Sequence, residues 1–380
     1  MNILILSCGT GGGHNAAAYA VEEEAQRRGW NVTLMNPYGL CAQGVAQRVD
    51  SAYISIAQAS PRGFGALYAI GNAYRRLPWR SPVYFANSRA AEALAGYLQE
   101  HPTDAIVMTH LYPAEMLTYL KNHGVALPKT VFVATDYTCI PFTEECALDG
   151  YVIPSPMLTA EFAGRGIPEE KIYPFGIPVR SAFRQEISKE EAKRQLGLDT
   201  DKRYLLVSGG SIGAGNLEKA IQLLLEVTQG QNFRLTVICG SNASARRQLM
   251  KRFGDRADFL GSTQRMAAYL RACDLYFTKP GGLSTTEAAV AEVPLALLPP
   301  IPGCESRNLR FYVDTSMAVP AVLRRGELEN ALALLDNPAQ LAYMRQSQRQ
   351  HIPKDAAGPH RPCEWPWNIP RFGRCSPQQG

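Results

Sequence analysis

The sequence predicts an α/β protein made of two Rossmann-like domains, each with a parallel sheet. Short apolar runs alternate with Gly-rich turns and helical stretches, which is typical of parallel strands joined by crossover helices. This alternation starts twice, near Asn2 and near Tyr204, with the rigid segment Pro174–Pro178 between the two series. A length of 380 residues also suits two domains better than one compact core.

The first series begins with the apolar run Asn2–Leu6. We interpret it as a buried strand rather than a signal peptide, because it has neither a basic segment before it nor a small-residue cleavage site after it. A glycine cluster and a helix from about Asn15 to Arg28 follow, and Gly29 ends that helix. The further strands expected in this series are Val32–Met35, Ala105–Met108 and Thr130–Ala134.

The second series begins with a strand at Tyr204–Ser208, followed by a second Gly-rich turn and a helix from about Asn216 to Thr228. Each apolar run in this series is short and rich in Leu or β-branched residues, as fully buried parallel strands are. The later strands expected here are Leu235–Ile238, Leu275–Thr278 and Leu295–Leu298.

These patterns predict an N-terminal domain at residues 1–178, a C-terminal domain at 179–350 and an irregular tail at 351–380. The tail contains six prolines and shows no helical periodicity. We expect the ligand to lie in the cleft between the domains, at the carboxyl ends of both sheets.

The composition excludes several classes of protein. Hydrophobic residues make up 46% and charged residues 19%, which is the balance of a globular protein. The nine cysteines form no Cys-x-x-Cys pair, so we expect neither a zinc ribbon nor a redox motif, and the compartment expected is a reducing cytosol. No apolar run reaches about 18 residues, so we expect no membrane-spanning segment.

The first Gly-rich loop runs from Cys8 to His14, between a strand and a helix. Its glycines, Gly11, Gly12 and Gly13, allow a ligand to approach the backbone, and the helix start favours an anion. The imidazole of His14 is suited to accept a hydroxyl proton near neutral pH. The alternative is a histidine that only caps the helix.

The second loop, residues 208–215, also joins a strand to a helix. Gly210 and Ser211 are its candidate donor-binding residues, together with Gly240, which follows a later strand. The loop lacks the Gly-Lys-Ser/Thr ending of a P-loop, so ATP hydrolysis is not expected. The alternative is a tight turn that binds nothing.

The third segment, Thr278–Glu287, is the most specific. A strand end, two glycines, hydroxyl residues and a helix start predict a diphosphate pocket, and its candidate residues are Gly281, Gly282, Ser284 and Thr285. A carboxylate at Glu287, one turn into the helix, is placed to accept hydrogen bonds from both hydroxyls of a ribose. The alternative is a capping box, in which Ser284 is the N-cap and Glu287 bonds back to it.

A polar turn at residues 299–308 follows the last predicted strand. There, Glu305 and Asn308 are candidates to hold sugar hydroxyls, since the turn is expected to face the cleft. The alternative is an exposed loop without a ligand.

Four motifs together resemble a known family. The sequence resembles the group of glycosyltransferase family 28 that contains monogalactosyldiacylglycerol synthases and processive diacylglycerol glucosyltransferases, from about residue 3 to about residue 345. The motifs are Gly-Gly-Gly-His-x-x-Ala from Gly11, Asp136 after a strand, Gly-Ile-Pro-Val-Arg at 176–180 and Lys-Pro-Gly-Gly-x-x-x-x-Glu at 279–287. The resemblance implies a GT-B fold. A more distant relative is the N-acetylglucosaminyltransferase that forms lipid II.

The resemblance also implies roles for the candidate residues. His14 matches a histidine proposed to act near the acceptor hydroxyl. Gly11, Gly12, Gly13 and Asp136 are the candidates for an acceptor or phosphate loop. Gly281, Gly282 and Ser284 match a loop that contacts the UDP diphosphate, and the remaining matches are Glu287 for ribose and Glu305 for the donor sugar. Cys304 replaces the glutamine of the usual Pro-Gly-Gln-Glu, and the tail replaces a usual final helix, which implies an altered C-terminus.

The implied reaction is inverting transfer of a hexose from UDP-glucose or UDP-galactose to diacylglycerol. We expect no cofactor beyond the UDP-sugar co-substrate and no catalytic metal. The alternatives are a UDP-N-acetylglucosamine 2-epimerase, a lipid II-type N-acetylglucosaminyltransferase, and an inactive protein that only binds a nucleotide sugar.

Residues 51–91 contain no Asp or Glu but five arginines interleaved with aromatic residues. This pattern suits an anionic bilayer surface, and the expected membrane contacts are Arg75, Arg76, Trp79 and Arg80. We therefore expect a cytoplasmic protein on the inner face of the cell membrane. The alternative is a helix pair with core aromatics and solvated arginines. Nucleic acid is not an expected partner, because no RNA-binding signature accompanies the pattern.

Overall fold

The computed structural model describes residues 1–9, 11–59, 61–210 and 216–356, and the side chains of 52–54, 56–59, 61, 62 and 64 are not described. The predicted donor residue Ser211 and residues 357–380 of the predicted tail therefore lie outside the described residues.

The first sheet has six parallel strands. They are β1 (Asn2–Leu6), β2 (Asn31–Met35), β3 (Ala105–Met108), β4 (Lys129–Val133), β5 (Gly150–Val152) and β6 (Ile172–Tyr173). Their order in the sheet is β2-β1-β3-β4-β5-β6. The helices of this half are α1 (Gly12–Arg27), α2 (Val45–Ala59), α3 (Pro61–Tyr74), α4 (Pro82–Glu100), α5 (Leu111–Asn122) and α6 (Thr159–Gly164).

The second sheet also has six parallel strands. They are β7 (Arg203–Ser208), β8 (Phe233–Ile238), β9 (Ala257–Leu260), β10 (Leu275–Thr278), β11 (Leu295–Leu297) and β12 (Val319–Pro320). Their order is β12-β11-β10-β7-β8-β9. The helices of this half are α7 (Lys189–Leu196), α8 (Leu217–Val227), α9 (Ala243–Phe253), α10 (Met266–Ala272), α11 (Gly282–Val290), α12 (Cys304–Asp314), α13 (Arg325–Ala333) and α14 (Pro338–His351).

The predicted α/β class with two parallel sheets is confirmed. The strand β3 is buried at every position, as expected for a parallel strand covered on both faces. One apolar cluster includes residues of both halves, among them Phe132 in β4 and Tyr312 in α12, so the core continues across the boundary between the sheets.

The structure differs from the sequence expectation at some element ends. Helix α1 begins at Gly12 rather than near Asn15, which puts His14 in its first turn. Strands β5, β6, β9 and β12 were not predicted, because runs of two to four residues are too short to show a period. His351, expected to open the irregular tail, is the last residue of α14.

Candidate active site between the two sheets

Two loops, one from each half, meet at the carboxyl ends of the sheets. The start of α1 faces the start of α11 closely enough that a Cβ on Gly13 would lie 3.7 Å from the Cβ of Leu283. Two cavities of different character adjoin at this point, and His14, Thr135, Asp136 and Cys304 line both of them.

The first cavity is the more polar one, with a volume of about 350 Å³. It is bordered by the Gly-rich starts of α1 and α11 and by the loops after β7 and β8. The predicted site residues among its lining are Gly11, Gly12, Gly13, His14, Asp136, Gly210, Gly240, Gly281, Gly282, Ser284, Glu287 and Glu305. The structure thus brings most of the predicted residues into one place.

The start of α11 is suited to hold an anion. Its N-cap is Gly281, and no side chain caps the helix, although the first N–H groups of any helix have no acceptor within it. Lys279 lies just before this loop, is largely buried and lines the same cavity. The two glycines and the helix N–H groups together favour an anion such as a diphosphate.

Lys279 is a residue that the site prediction missed. Its Nζ lies 2.5 Å from Oε1 of Glu305, and the other oxygen of Glu305 accepts from the amide of Ile301 at 2.8 Å. Gly210 has a φ of +74°, and its missing side chain leaves room for the Lys279 stem, since a Cβ there would lie 3.3 Å from Cε. The available signal was a lysine two positions before Gly281, in the same motif as the two glycines.

Glu287 lies in the second turn of α11 and lines the polar cavity. The capping-box alternative is wrong, because the N-cap is Gly281 and Ser284 lies inside the helix. Burial raises the pKa of Glu287 to about 7, and the charge of Arg180 acts in the opposite direction. Arg180, from the segment between the sheets, also lines the cavity and was not among the predicted site residues.

Two predicted donor residues do not reach the cavity. Asn308 is fully buried, and its amide is occupied by Asp136, Pro280 and Tyr137. Thr285 is also fully buried, and its hydroxyl donates to the carbonyl of Gly281 at 2.9 Å within the helix. The expectation failed because sequence spacing does not show which face of a helix turns inward.

His14 is held in a defined tautomer. Its Nδ1 lies 2.8 Å from the carbonyl oxygen of Thr109 and 2.9 Å from the hydroxyl of Thr135. Because a carbonyl oxygen only accepts, Nδ1 carries the proton and Nε2 keeps a lone pair. Burial lowers the pKa of His14, while the nearby charge of Asp136 acts to raise it. The ring is therefore neutral near pH 7 and able to accept a proton.

The second cavity, of about 320 Å³, is mainly apolar. Its wall combines α3 and the start of α4 with the loops after β3 and β4. Apolar side chains predominate in this wall, among them Leu67, Ile70, Tyr74, Val83, Phe132, Ile140, Phe142 and Phe162. A long apolar ligand is the kind of molecule that this lining suits.

The surface beside the apolar cavity exposes large hydrophobic side chains. The exposed fractions are 56% for Leu67, 63% for Ile70, 43% for Leu77, 68% for Trp79 and 62% for Phe85. A group of this size on one surface indicates an interaction site rather than scattered surface residues. Arg76 is exposed in the same segment.

The prediction that Arg75 and Arg80 contact a membrane is wrong. The side chain of Arg75 is only 3% exposed and forms an ion pair with Glu144. Arg80 donates to the carbonyl oxygen of Glu145 and lies over the ring of Tyr84. Both arginines therefore hold the segment in place rather than face outward, and the exposed members of the predicted set are Arg76 and Trp79.

The described residues contain no group of three or more His, Cys, Asp or Glu side chains arranged to hold a metal ion. An Asp-x-Asp triplet occurs at Asp199–Asp201, but it is exposed and lies before β7, at the edge opposite the cavity. Among the helices described, none combines the length and the apolar character that crossing a bilayer would require.

Comparison with known proteins finds a family match for each half of the chain. Residues 14–179 match the monogalactosyldiacylglycerol synthase family profile, and residues 204–304 match the glycosyltransferase family 28 C-terminal domain. A processive diacylglycerol beta-glucosyltransferase from Bacillus pumilus is 27% identical over 357 residues, covering 91% of this chain and 90% of that protein.

Solved structures share the fold. A putative UDP-N-acetylglucosamine 2-epimerase from Listeria monocytogenes superposes with a TM-score of 0.62 at 14% identity, covering 94% of this chain and 93% of that one. Acinetobacter baumannii MurG gives a TM-score of 0.59 at 16% identity, covering 94% and 96%. These likenesses show the GT-B architecture. With the two family matches and the near full-length relative, the chain belongs to glycosyltransferase family 28, in the group of monogalactosyldiacylglycerol synthases and processive diacylglycerol glucosyltransferases.

Proposed function

We propose that this glycosyltransferase moves a hexose from a UDP-sugar to diacylglycerol, with inversion, at a membrane surface. The observation that carries the proposal is the position of His14, which lies where the polar and the apolar cavity adjoin. A base at this place can contact the hydroxyl group of an acceptor whose apolar part occupies the apolar cavity, while the sugar donor occupies the polar cavity.

The polar cavity suits a UDP-sugar. The N–H groups at the start of α11 favour the diphosphate, and the ammonium group of Lys279 lies in the same cavity, paired with Glu305. Glu287 has no hydrogen-bond partner within the part of the chain that is described, so its carboxylate is available to the hydroxyls of a ribose. Glu305 stays the candidate contact for the donor sugar, since it lines the cavity with one lone pair per oxygen still open.

The apolar cavity and the exposed segment suit a lipid acceptor. The side chains of Leu67 and Ile70 belong both to the cavity wall and to the exposed hydrophobic group, so the cavity lies next to the surface that would meet a bilayer. The choice of diacylglycerol rests on the relatives, which are named processive diacylglycerol beta-glucosyltransferases. On this proposal the protein binds the inner face of the cell membrane from the cytoplasm.

The proposed reaction is a direct displacement. Nε2 of His14 takes the proton of the acceptor hydroxyl, and the oxygen attacks the anomeric carbon on the face opposite the UDP group. The bond between this carbon and the diphosphate breaks, and the electron pair leaves with UDP. The groups around the start of α11 stabilise the charge that develops on the leaving diphosphate.

Incubation with labelled UDP-glucose or UDP-galactose and diacylglycerol vesicles tests the proposal, with lipid extraction as the readout. We expect label in the lipid phase with at least one donor and none when vesicles are omitted. Conversion of UDP-N-acetylglucosamine to its epimer without lipid would favour the epimerase alternative. Binding of UDP without any product from these donors would favour the inactive binding protein.

A further inference from the structure

One buried side chain connects the donor loop to the loop beside the base. Asn308, in α12, donates from Nδ2 to Oδ1 of Asp136 at 2.8 Å and to the carbonyl oxygen of Pro280 at 2.9 Å. Its Oδ1 accepts from the amide of Tyr137 at 2.7 Å. The orientation of this amide is fixed, because the Pro280 carbonyl only accepts and the Tyr137 amide only donates.

The partners of Asn308 belong to different halves of the molecule. Pro280 directly precedes Gly281, the N-cap of the helix that borders the polar cavity. Asp136 follows Thr135, whose hydroxyl lies 2.9 Å from Nδ1 of His14. A single amide therefore joins the loop proposed to bind the diphosphate to the loop that supports the base.

The surroundings of this link are buried and hydrogen-bonded. The hydroxyl of Tyr137 lies 2.7 Å from Oγ1 of Thr286 and accepts from the hydroxyl of Tyr312 at 2.9 Å. The ring of Tyr137 stacks on Phe311 with 4.6 Å between centroids. The loop of Asp136 is thus fixed against α11 and α12 as long as the two halves stay docked.

The charged and titratable groups around His14 come from three elements. His110 at the N-cap of α5 lies with its ring centroid 4.5 Å from that of His14, and burial holds its pKa well below its usual value. Cys304 at the start of α12 keeps its proton, because burial raises its pKa. Asp136, from the loop after β4, is the carboxylate whose charge acts on the pKa of His14.

We propose that Asn308 is a positioning residue that fixes Asp136 beside His14 and thereby couples the base to the docking of the donor loop. The proposal rests on the proposed function, since it takes His14 to be the base. Its consequence is that the base is fully organised only when the loop at Pro280 is in contact with the first domain. Proton removal from the acceptor is then linked to the closed, donor-competent arrangement.

The test compares Asn308→Ala with Tyr312→Phe, which removes a hydrogen bond from the same buried contact without touching Asp136. In Asn308→Ala the carboxylate of Asp136 loses its fixed place near His14, so the pKa of His14 should fall. The acidic limb of the pH profile of turnover should move to lower pH, and plateau turnover should fall by on the order of 10²-fold. Tyr312→Phe should leave the limb in place.

Two further measurements make the test decisive. The pKa of His14, followed by NMR on histidine labelled at Cε1, should fall in Asn308→Ala and likewise in Asp136→Asn, which keeps the packing but removes the charge. In the Asp136→Asn background, adding Asn308→Ala should not shift the pKa of His14 again.

An unmoved pKa of His14 in both single variants, or equal losses of turnover in Asn308→Ala and Tyr312→Phe, would show that Asn308 only packs. Absence of transfer by the parent enzyme would refute the proposed function, while the NMR titration would still decide the role of Asn308.

Discussion

Gly282 packs directly against the backbone of Thr135. A Cβ on Gly282 would lie 1.8 Å from the carbonyl oxygen of Thr135, which is far inside van der Waals contact. The donor helix of the second half therefore begins against the loop of the first half that supports His14. Only a residue without a side chain permits this approach.

Gly282→Ala should separate the two halves and destabilise the protein. The clash is with backbone, so no side chain can move away, and overpacking of this kind costs at least about 1–3 kcal/mol. Gly281→Ala is the matched control, because a Cβ there would meet nothing within 4 Å. Thermal unfolding and small-angle scattering measure the difference. Equal melting temperatures for the two variants would mean that the contact is not rigid.

His14→Ala should nearly abolish transfer while UDP still binds. General bases contribute about 10²–10⁴-fold, and the loss should appear in turnover. His123→Ala is a suitable control, since His123 is exposed and bonds to the backbone of its own helix. Turnover assays paired with calorimetric UDP titration separate the two effects. A His14→Ala enzyme with most of its turnover intact would exclude the base role.

The affinity for UDP should rise as the pH increases through about 7. Burial raises the pKa of Glu287 to about 7, and only the ionised carboxylate accepts from both ribose hydroxyls. Hydrogen bonds to a charged group contribute roughly 1.5–3 kcal/mol, so Glu287→Gln should weaken UDP binding about tenfold or more at pH 8. It should also remove the pH dependence. Calorimetry at pH 6 and pH 8 tests both statements, and an unchanged slope in the variant would contradict them.

The same pKa has a consequence for stability. A carboxyl group whose folded pKa is raised disfavours the folded state once it ionises, so stability should decline as the pH rises from about 4.5 through about 7. Glu287→Gln should abolish this part of the decline. The melting temperature of Glu287→Gln minus that of the parent should therefore be larger at pH 8 than at pH 5. A difference that stays the same at both pH values would refute the assignment.

The fold was predictable because its signals are local. The strands at Asn2, Ala105 and Leu275 are short apolar runs, and each lies where its pattern indicates. The residues grouped in the polar cavity were also predictable, because parallel strands end at one edge of a sheet. Asn308 and Arg75 were misjudged for another reason, since their partners Asp136 and Glu144 lie 172 and 69 positions away in the chain. No local pattern reports such a pairing.

Arg75→Ala should destabilise the protein rather than weaken membrane binding alone. Arg75 and Glu144 are 3% and 17% exposed, and breaking a buried pair costs about 3–5 kcal/mol because it leaves a charge without a partner. The control is Arg194→Ala, whose pair with Glu191 is 64% and 44% exposed and contributes under about 1 kcal/mol. Chemical denaturation measures both. Equal effects would place the Arg75 pair in solvent.

Membrane binding should depend on Arg76 and Trp79 in separable ways. Arg76→Glu should weaken sedimentation with anionic vesicles, because a cation near such a surface contributes about 1 kcal/mol and the new carboxylate is repelled. Salt should mimic this loss, since the screening length falls from about 10 Å at 0.1 M to about 3 Å at 1 M. Trp79→Ala should instead weaken the salt-resistant part, because the indole is 68% exposed.

Matched variants elsewhere on the surface distinguish this patch from a general effect of charge or hydrophobicity. Arg247→Glu makes the same change of charge on the exposed face of α9, and Tyr343→Ala removes an aromatic ring that is 59% exposed in α14. Both controls should sediment with vesicles as the parent does, and all four variants should keep their affinity for UDP, whose proposed site lies away from these residues. If Arg247→Glu and Arg76→Glu reduce sedimentation equally, binding follows net charge alone. The hydrophobic segment beside the apolar cavity would then need another partner than a bilayer.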